Sequence, residues 1–298
     1  MSALTAQSSP RGPKPKRLTP ARVGLYGFVA MSCLFFLAPL YVMIITSLKP
    51  MEEVRLGYIF KWPDSPTIQP WIDAWSSACT GLACEGIHSG FYNSIKITIP
   101  SVMVSIFAGA LFGYCLSFWK MKGSNFLFGL LLLGAFLPYQ LFIYPLVRIY
   151  AWAGAYGTMF NIITVHTIFG LPVMTLLFRN YFSSVPIELF KAARVDGAGF
   201  WRIFLSVMLP LATPVVIVAV ILQVTGIWND FLFGTVFAGQ NNWPMTVLLN
   251  NIVNTTQGER HYNIDMAATI LTAAVPLTVY FVSGRWFVRG IAAGAVKG

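Results

Sequence analysis

Charged residues are scarce in this sequence. Only 10% of the 298 residues are charged and 56% are hydrophobic, whereas a typical soluble domain carries about a quarter charged residues. This composition excludes an ordinary soluble domain and predicts an integral membrane protein that contacts lipid. The net charge is +10, but the basic residues lie between apolar segments and form no continuous stripe with aromatic residues, which excludes nucleic acid as a partner.

Nucleotide-binding and catalytic motifs are also missing. The sequence has no Gly-x-x-x-x-Gly-Lys phosphate loop and no Gly-Lys pair at all, so we expect this chain to bind neither ATP nor another cofactor. It has no His or Cys residues at metal-ligand spacing, no Ser-His-Asp set and no acidic dyad. We therefore predict no metal site, no catalytic residue and no enzyme activity. Any ATP energy has to come from another subunit.

Ionisable residues are nearly absent from the middle of the apolar segments. Asp230 and Asp265 lie near segment ends, and His166 is the only ionisable residue well inside one. Carriers coupled to protons or sodium usually place such groups at the midplane of the membrane, which argues against that class. An ATP-independent secondary transporter or facilitator of small polar solutes stays open as the alternative. His166 is interpreted as a packing group, with a proton relay as its alternative.

Apolar sequence, in contrast, is abundant and falls into segments of at least the roughly 20 residues that cross a bilayer. We predict an all-α membrane protein with six transmembrane helices: Val23–Ser47, Phe91–Trp119, Phe126–Val147, Met159–Phe178, Ile203–Trp228 and Met266–Ser283. Pro138 with Gln140 in the third segment, and Pro172 in the fourth, predict kinks that need protein or water beside them.

The chain divides into three regions. Residues 1–22 are basic and poor in apolar side chains, which predicts a disordered cytoplasmic arm. Residues 23–90 hold the first transmembrane helix and a polar external cap, and residues 91–298 hold the remaining spans. In the cap, Cys79 and Cys84 are separated by five positions. A local disulfide is expected if the cap faces an oxidising compartment, and two free thiols are the alternative.

The distribution of Lys and Arg predicts the orientation. With a cytoplasmic N-terminus, only six of the 20 lie outside: Lys49, Arg55, Lys61, Lys96, Arg148 and Arg260. Positive residues concentrate on the cytoplasmic side of membrane proteins. Both termini and the polar stretch between spans four and five are therefore predicted to be cytoplasmic.

That polar stretch, residues 186–200, interrupts the apolar sequence. Pro186 and Glu188 are typical of a helix start, and Gly197 is typical of a helix end. Lys191, Arg194 and Asp196 keep the segment out of hydrocarbon. A helix of about ten residues is marginal alone because nucleation is costly, so this one is predicted to dock on a partner.

The stretch resembles the cytoplasmic coupling loop of the permease subunits of binding-protein-dependent ABC importers. The resemblance rests on the pattern A-A-x-x-D-G-A and the apolar run after it, which match at Ala192, Ala193, Asp196, Gly197, Ala198, Phe204, Leu209, Pro210 and Pro214. One departure is Lys191, where the family usually carries Glu. This reversal of charge predicts a compensating acidic group on the partner.

Other motifs extend the resemblance over about residues 91–298. Phe91-Tyr92-Asn93-Ser94 is similar to the entry of the family's transmembrane region, and W-N-D-F-L-F-G at 228–234 resembles the outer end of the span after the coupling loop in sugar permeases. The segment 285–298 looks like the tail of the maltose-type subfamily. Together these motifs resemble those that accompany glucose, mannose or α-glucoside uptake.

The resemblance implies partners and roles. The partners are a second homologous permease in a heterodimer, two copies of a cytoplasmic ABC ATPase that hold ATP and Mg, and an extracytoplasmic sugar-binding protein. The location is a bacterial or archaeal plasma membrane. The implied ATPase-coupling residues are Glu188, Lys191, Ala192, Ala193, Asp196, Gly197 and Ala198, with Leu189 and Phe190 filling the ATPase groove. A flexible tail would add contacts through Gly294, Val296, Lys297 and Gly298.

Amide and aromatic side chains in the spans are candidates for the substrate pathway, because an unpaired amide in lipid costs several kcal/mol. The candidates are Gln140, Asn161, Gln223, Trp228 and Asn229, with Tyr139 beside them. Sugars need hydrogen-bonding amides and aromatic faces, and Trp228 with Asn229 offers both. The alternative for Trp228 is an interfacial membrane anchor.

Overall fold

A computed structural model describes residues 19–81, 83–119, 122–254 and 259–295, with the backbone alone from residue 285. All regular secondary structure in these ranges is helical. The α-helices in chain order are α1 Pro20–Ser47, α2 Met51–Arg55, α3 Gln69–Ser76, α4 His88–Phe118, α5 Ser124–Phe136, α6 Gln140–Trp152, α7 Met159–Ser183, α8 Ile187–Val195, α9 Phe200–Ile203, α10 Leu209–Leu211, α11 Thr213–Trp228, α12 Leu232–Phe237, α13 Met245–Val253 and α14 Tyr262–Ala295.

Four of these helices, α1, α4, α7 and α14, are individually long and apolar enough to cross a membrane. Two further spans arise only if each of two bent helix pairs counts as one. The first pair is α5 with α6, which meet at 102°, and the second is Phe200–Leu211 with α11, which meet at 78°. The described chain therefore has between four and six candidate spans.

The third predicted segment, Phe126–Val147, is broken at the position where Pro138 and Gln140 predicted a kink. It breaks between Phe136 and Gln140, around Pro138. Proline lacks a backbone N–H and disfavours helical geometry in the residue before it, so Leu137 is extended, with ψ of 138°. By contrast, α7 continues through Pro172.

The fifth predicted segment, Ile203–Trp228, is also interrupted. A π-helical stretch, Phe204–Met208, separates α9 from α10, and the chain turns at Ala212 before α11 begins. Pro210 and Pro214 flank that turn. Each removes a helical hydrogen bond, which explains why the bend lies between them.

The α4 and α7 helices form the centre of the bundle, and glycine allows their close approach. A Cβ atom at Gly109 would meet the Cβ of Met174, and one at Gly113 would lie 2.8 Å from the backbone nitrogen of Arg179. Neither position has room for a larger residue. The buried side chains of Tyr114, Phe178 and Phe182 fill the space beside this contact.

The cap packs on the start of α14. Asn263 donates a hydrogen bond from its side-chain amide to the carbonyl of Lys49, at 2.9 Å, and the Lys49 ammonium donates to the carbonyl of Tyr58, also at 2.9 Å. Cys79 and Cys84 form a disulfide that closes the loop after α3. These contacts join the segment after α1 to the last helix.

The last helix extends beyond the predicted span. It begins at Tyr262 and its backbone stays helical through Gly294 to Ala295, so the flexible tail predicted from residue 285 is helical over most of its length. The predicted tail contacts Val296, Lys297 and Gly298 lie outside the described residues, as do residues 1–18 of the basic arm.

Candidate functional site

The short helix α8 forms as the local sequence predicts. Glu188 is in its first turn and Arg194 in its last. Each charge therefore lies at the end of the helix dipole that has the opposite sign, which stabilises the helix. At the end of the helix, the N–H of Ala198 donates to the carbonyl of Ala193 at 3.0 Å, and that of Gly197 donates to the carbonyl of Arg194 at 3.1 Å. This pair of bonds is a Schellman motif, which requires a left-handed residue, and Gly197 has φ of 75°.

One face of α8 is held by aromatic rings of its own chain. The ring of Phe190 stacks on Phe118 with centroids 5.0 Å apart and lies 6.0 Å from Trp119 and 6.4 Å from Tyr114. Ala193 packs on the same core. Phe190 is thus half-buried against rings of its own chain, and its predicted contact with a groove in the ATPase stays a prediction. These contacts fix α8 to α4.

The rest of the α8 surface, which we call the free face, is covered by none of the residues that the structure describes. Its apolar members Ile187, Leu189 and Val195 are 40%, 44% and 87% exposed. Lys191 and Ala192 lie between them and are exposed too, as are Glu188, Asp196 and Gly197. Residues two positions apart do not face each other on a helix, so Ile187 and Leu189 lie at the two edges of this surface, and Val195 and Ala192 lie between them among charged side chains. The free face therefore contains most of the coupling residues predicted from the sequence, whereas Ala193 and Ala198 are half-buried.

Three of the predicted pathway residues are buried inside the chain. Trp228 is 2% exposed, and its indole N–H donates to the carbonyl of Thr272 at 3.0 Å. It is thus a core residue between α11 and α14, and neither the pathway nor the anchor interpretation fits it. Asn161 is fully buried and donates to the carbonyl of Phe237 at 3.3 Å, while Gln223 packs against Gly170.

The two remaining pathway candidates, Gln140 and Asn229, are exposed. Gln140 begins α6 directly after the break, and Asn229 follows α11. The residue before Gln140, Tyr139, belongs to an aromatic cluster in which Phe233 stacks on Phe169 at 5.0 Å and Tyr139 approaches Phe233 at 5.3 Å. Gln140 is adjacent in sequence to Tyr139 of this cluster, and Asn229 is adjacent to Trp228, which is buried.

The role of Asp230 was missed by the sequence analysis. Its carboxylate accepts hydrogen bonds from the backbone N–H groups of Phe233 at 3.2 Å and Gly234 at 2.9 Å. These are early amides of α12, which have no partner within the helix. An Asp directly before an apolar run that forms a helix is a recognised capping signal, and W-N-D-F-L-F-G contains that signal at Asp230.

His166 belongs to the same cluster. It is 7% exposed, its ring lies 5.6 Å from that of Phe233, and its Nε2 lies 3.8 Å from a carboxylate oxygen of Asp230. These contacts agree with the packing interpretation. Within the residues that the structure describes, no group of three His, Cys, Asp or Glu side chains could hold a metal ion.

The comparisons with known proteins agree with this architecture. A probable ABC transporter permease protein of Pyrococcus horikoshii is 33% identical over 95% of this chain and 100% of its own length. The alpha-glucoside transport system permease protein AglG of Rhizobium meliloti is 35% identical over 73% of this chain and 58% of its own length. A crystal structure of a bacterial ABC transporter involved in the import of the acidic polysaccharide alginate has a chain with the same fold, at a TM-score of 0.76 and 19% identity, over 92% of this chain and 100% of that one.

A protein-family model also matches this chain. It describes the inner membrane component of binding-protein-dependent transport systems, and it matches residues 97–293. The match includes α8, both bent helix pairs and most of α14. The chain therefore belongs to the family of binding-protein-dependent transport system inner membrane components, which are non-catalytic membrane subunits of ABC transporters.

Proposed function

We propose that this chain forms one half of the translocation pathway of an ATP-driven carbohydrate importer in a bacterial or archaeal plasma membrane. The expected substrate is glucose, mannose or an α-glucoside. The relative AglG, which is named for alpha-glucoside transport, supports this class of substrate. The observation that carries the proposal is the free face of α8, an exposed surface of mixed apolar and charged side chains on a helix that the chain itself holds from the other side.

The proposed orientation has six spans, with both termini and α8 in the cytoplasm. Two observations support it. The cap carries a disulfide, which persists in oxidising compartments outside the cytoplasm. The α4 helix has 31 residues, about 46 Å at 1.5 Å per residue. The cap precedes its first residue, and Phe190 of α8 stacks near its last.

In this proposal α8 couples ATP hydrolysis on a partner to movement of the spans. The free face contacts one of two cytoplasmic ATPase subunits, which hold ATP and Mg, and Lys191 pairs with an acidic group there. Phe190 and Ala193 transmit the motion to α4, because they pack on the end of that helix. A homologous permease completes the pathway, and an extracytoplasmic binding protein delivers the sugar.

Reconstitution tests the proposal. The chain is assembled in proteoliposomes with its second permease, ATPase and binding protein, and ATP hydrolysis and uptake are measured with glucose, mannose and α-glucosides. We expect one of these sugars to stimulate hydrolysis and to accumulate only when ATP is present on the ATPase side. Uptake that continues without the ATPase would instead support the facilitator alternative, and no response to any of the sugars would exclude glucose, mannose and α-glucosides as substrates.

A further inference from the structure

Residues 56–62 of the cap, directly after α2, carry exposed apolar side chains in close succession. We call this segment the apolar loop. It reads L-G-Y-I-F-K-W, and its apolar side chains are each more than half exposed: Leu56, Tyr58, Ile59, Phe60 and Trp62. Exposed apolar patches of this kind mark sites that contact a protein or a membrane. The apolar loop is therefore a candidate contact surface.

Two hydrogen bonds hold the apolar loop against the end of α1. The hydroxyl of Tyr41 donates to the carbonyl of Phe60 at 3.1 Å, and the Lys49 ammonium donates to the carbonyl of Tyr58 at 2.9 Å. Lys49 comes after the last residue of α1, Ser47, whereas Tyr41 precedes that residue by six positions. Six helical residues extend about 9 Å. The loop therefore folds back along α1, toward the middle of that helix.

The depth of Tyr41 in the membrane follows from the position of Arg22. Arg22 lies in the first turn of α1, and no other charged residue occurs before Lys49. Since a charged side chain is costly in hydrocarbon, Arg22 lies at one edge of the hydrocarbon core. Tyr41 is 19 positions further along the same helix, or about 29 Å, and the core is about 30 Å thick. Tyr41 and the carbonyl of Phe60 therefore lie at the other edge.

The surface of α1 beside the apolar loop is apolar as well. Residues three and four apart share a face of a helix, so Leu37 and Ile44 lie on the same face as Tyr41. Both side chains are about half exposed. The apolar loop is hydrogen-bonded to this face through Tyr41, so it continues the surface that α1 presents to lipid.

The composition of the apolar loop is typical of the boundary between hydrocarbon and water. Tyr and Trp are enriched there because their rings are amphipathic, and the loop has one of each, Tyr58 and Trp62. Its one charged residue is Lys61, whose ammonium lies 2.5 Å from the carboxylate of Asp64. A lysine can keep its ammonium in water while its stem lies along apolar surface, so no charge has to enter hydrocarbon.

We propose that the apolar loop is a lipid anchor, with Ile59, Phe60 and Trp62 inserted between the headgroups and the acyl chains of the leaflet beside the cap. This role goes beyond the proposed transport function and depends neither on the sugar nor on the ATPase. It gives the cap two attachments, one to lipid and one to α14 through Asn263.

Quenching by spin-labelled lipid tests the anchor in the assembled importer. Ile59→Cys is prepared with Cys33 and Cys115 changed to Ala, labelled with an environment-sensitive fluorophore without reductant, and reconstituted with the second permease and the ATPase. The vesicles contain phosphatidylcholine with a nitroxide either high on the acyl chain or near its end. We expect the high nitroxide to remove most of the emission and the deep nitroxide to remove much less. An unchanged melting temperature shows that the variant is folded.

The matched control is Ile68→Cys with the same label. Ile68 is also an exposed isoleucine of the cap, but its neighbour Thr67 donates its backbone N–H to the carbonyl of Leu48 at 2.9 Å. Leu48 is seven positions beyond Tyr41, about 10 Å further from the core, so both lipids should quench this label far less. Equal quenching at the two positions, or none at Ile59, would contradict the anchor. Quenching at Ile59 that the binding protein abolishes would also contradict it, because protein would then cover the loop.

Discussion

Ala192→Trp is expected to abolish sugar uptake while the chain still folds and inserts. Ala192 is exposed at the middle of the free face of α8, so the indole meets no wall of its own chain but holds the ATPase surface away. Moving a two-state equilibrium from 1:99 to 99:1 takes about 5.5 kcal/mol of differential contact. Loss of half of that energy, about 2.7 kcal/mol, lowers the rate about a hundredfold. Uptake and binding-protein-stimulated ATP hydrolysis by proteoliposomes should fall together.

The control for this variant is Ala153→Trp, the same substitution at an exposed turn after α6. In the proposed orientation Ala153 is on the opposite side of the membrane from α8, so uptake should be unchanged. Copurification of the ATPase with each variant distinguishes two defects. Less bound ATPase indicates weaker docking, whereas normal binding with reduced uptake indicates a defect in transport itself. Wild-type uptake by Ala192→Trp would show that the free face is not a close contact, and the coupling role of α8 would be lost.

Gly109→Val should have the largest effect on stability. A side chain at this position meets Met174 in α7, and the backbone of that residue is only 3.0 Å from the added Cβ. The two central helices would have to move apart, and overpacking of this kind costs about 1–3 kcal/mol. We expect a destabilisation near the upper end of this range, because the atoms that the added side chain meets include the backbone of Met174. The change in melting temperature is measured by heating the detergent-solubilised protein and determining the folded fraction by gel filtration at each temperature.

Gly129→Val provides the comparison for that measurement. Gly129 is also inside a membrane helix, α5, but no atom lies within 4 Å of the Cβ that the substitution adds. Its melting temperature should stay close to wild type, since exposed substitutions usually change stability by within about 0.5 kcal/mol. If the two variants melt alike, the contact between α4 and α7 is not as close as the structure has it.

The parts of this molecule that sequence could predict are those determined locally. The apolar segments follow from composition, because about 20 apolar residues suffice to cross a bilayer. The short helix α8 follows from Pro186, Glu188 and Gly197, whose backbone preferences act within a few residues. Gly197 does adopt the left-handed conformation that ends the helix, with φ of 75°.

The parts that sequence could not predict depend on distant partners. Trp228 is buried because the carbonyl of Thr272, 44 positions away, accepts its N–H, and no local pattern reveals that acceptor. The partial burial of Phe190 depends on Phe118, which lies on another helix and stacks on its ring. No local pattern reveals that contact either. Prolines predicted a kink at Pro138, but the size of the bend, 102°, depends on how α6 packs afterwards.

In the proposed function the free face of α8 is cytoplasmic and covered by the ATPase. Accessibility of Val195, which is 87% exposed in the isolated chain, tests it most directly. A Val195→Cys variant is prepared with Cys33 and Cys115, the free cysteines, changed to Ala, and treated with a membrane-impermeant maleimide. We expect no labelling in intact cells, labelling in inverted vesicles stripped of ATPase, and protection when the ATPase is added back. Labelling from outside intact cells, or equal labelling with and without bound ATPase, would contradict it.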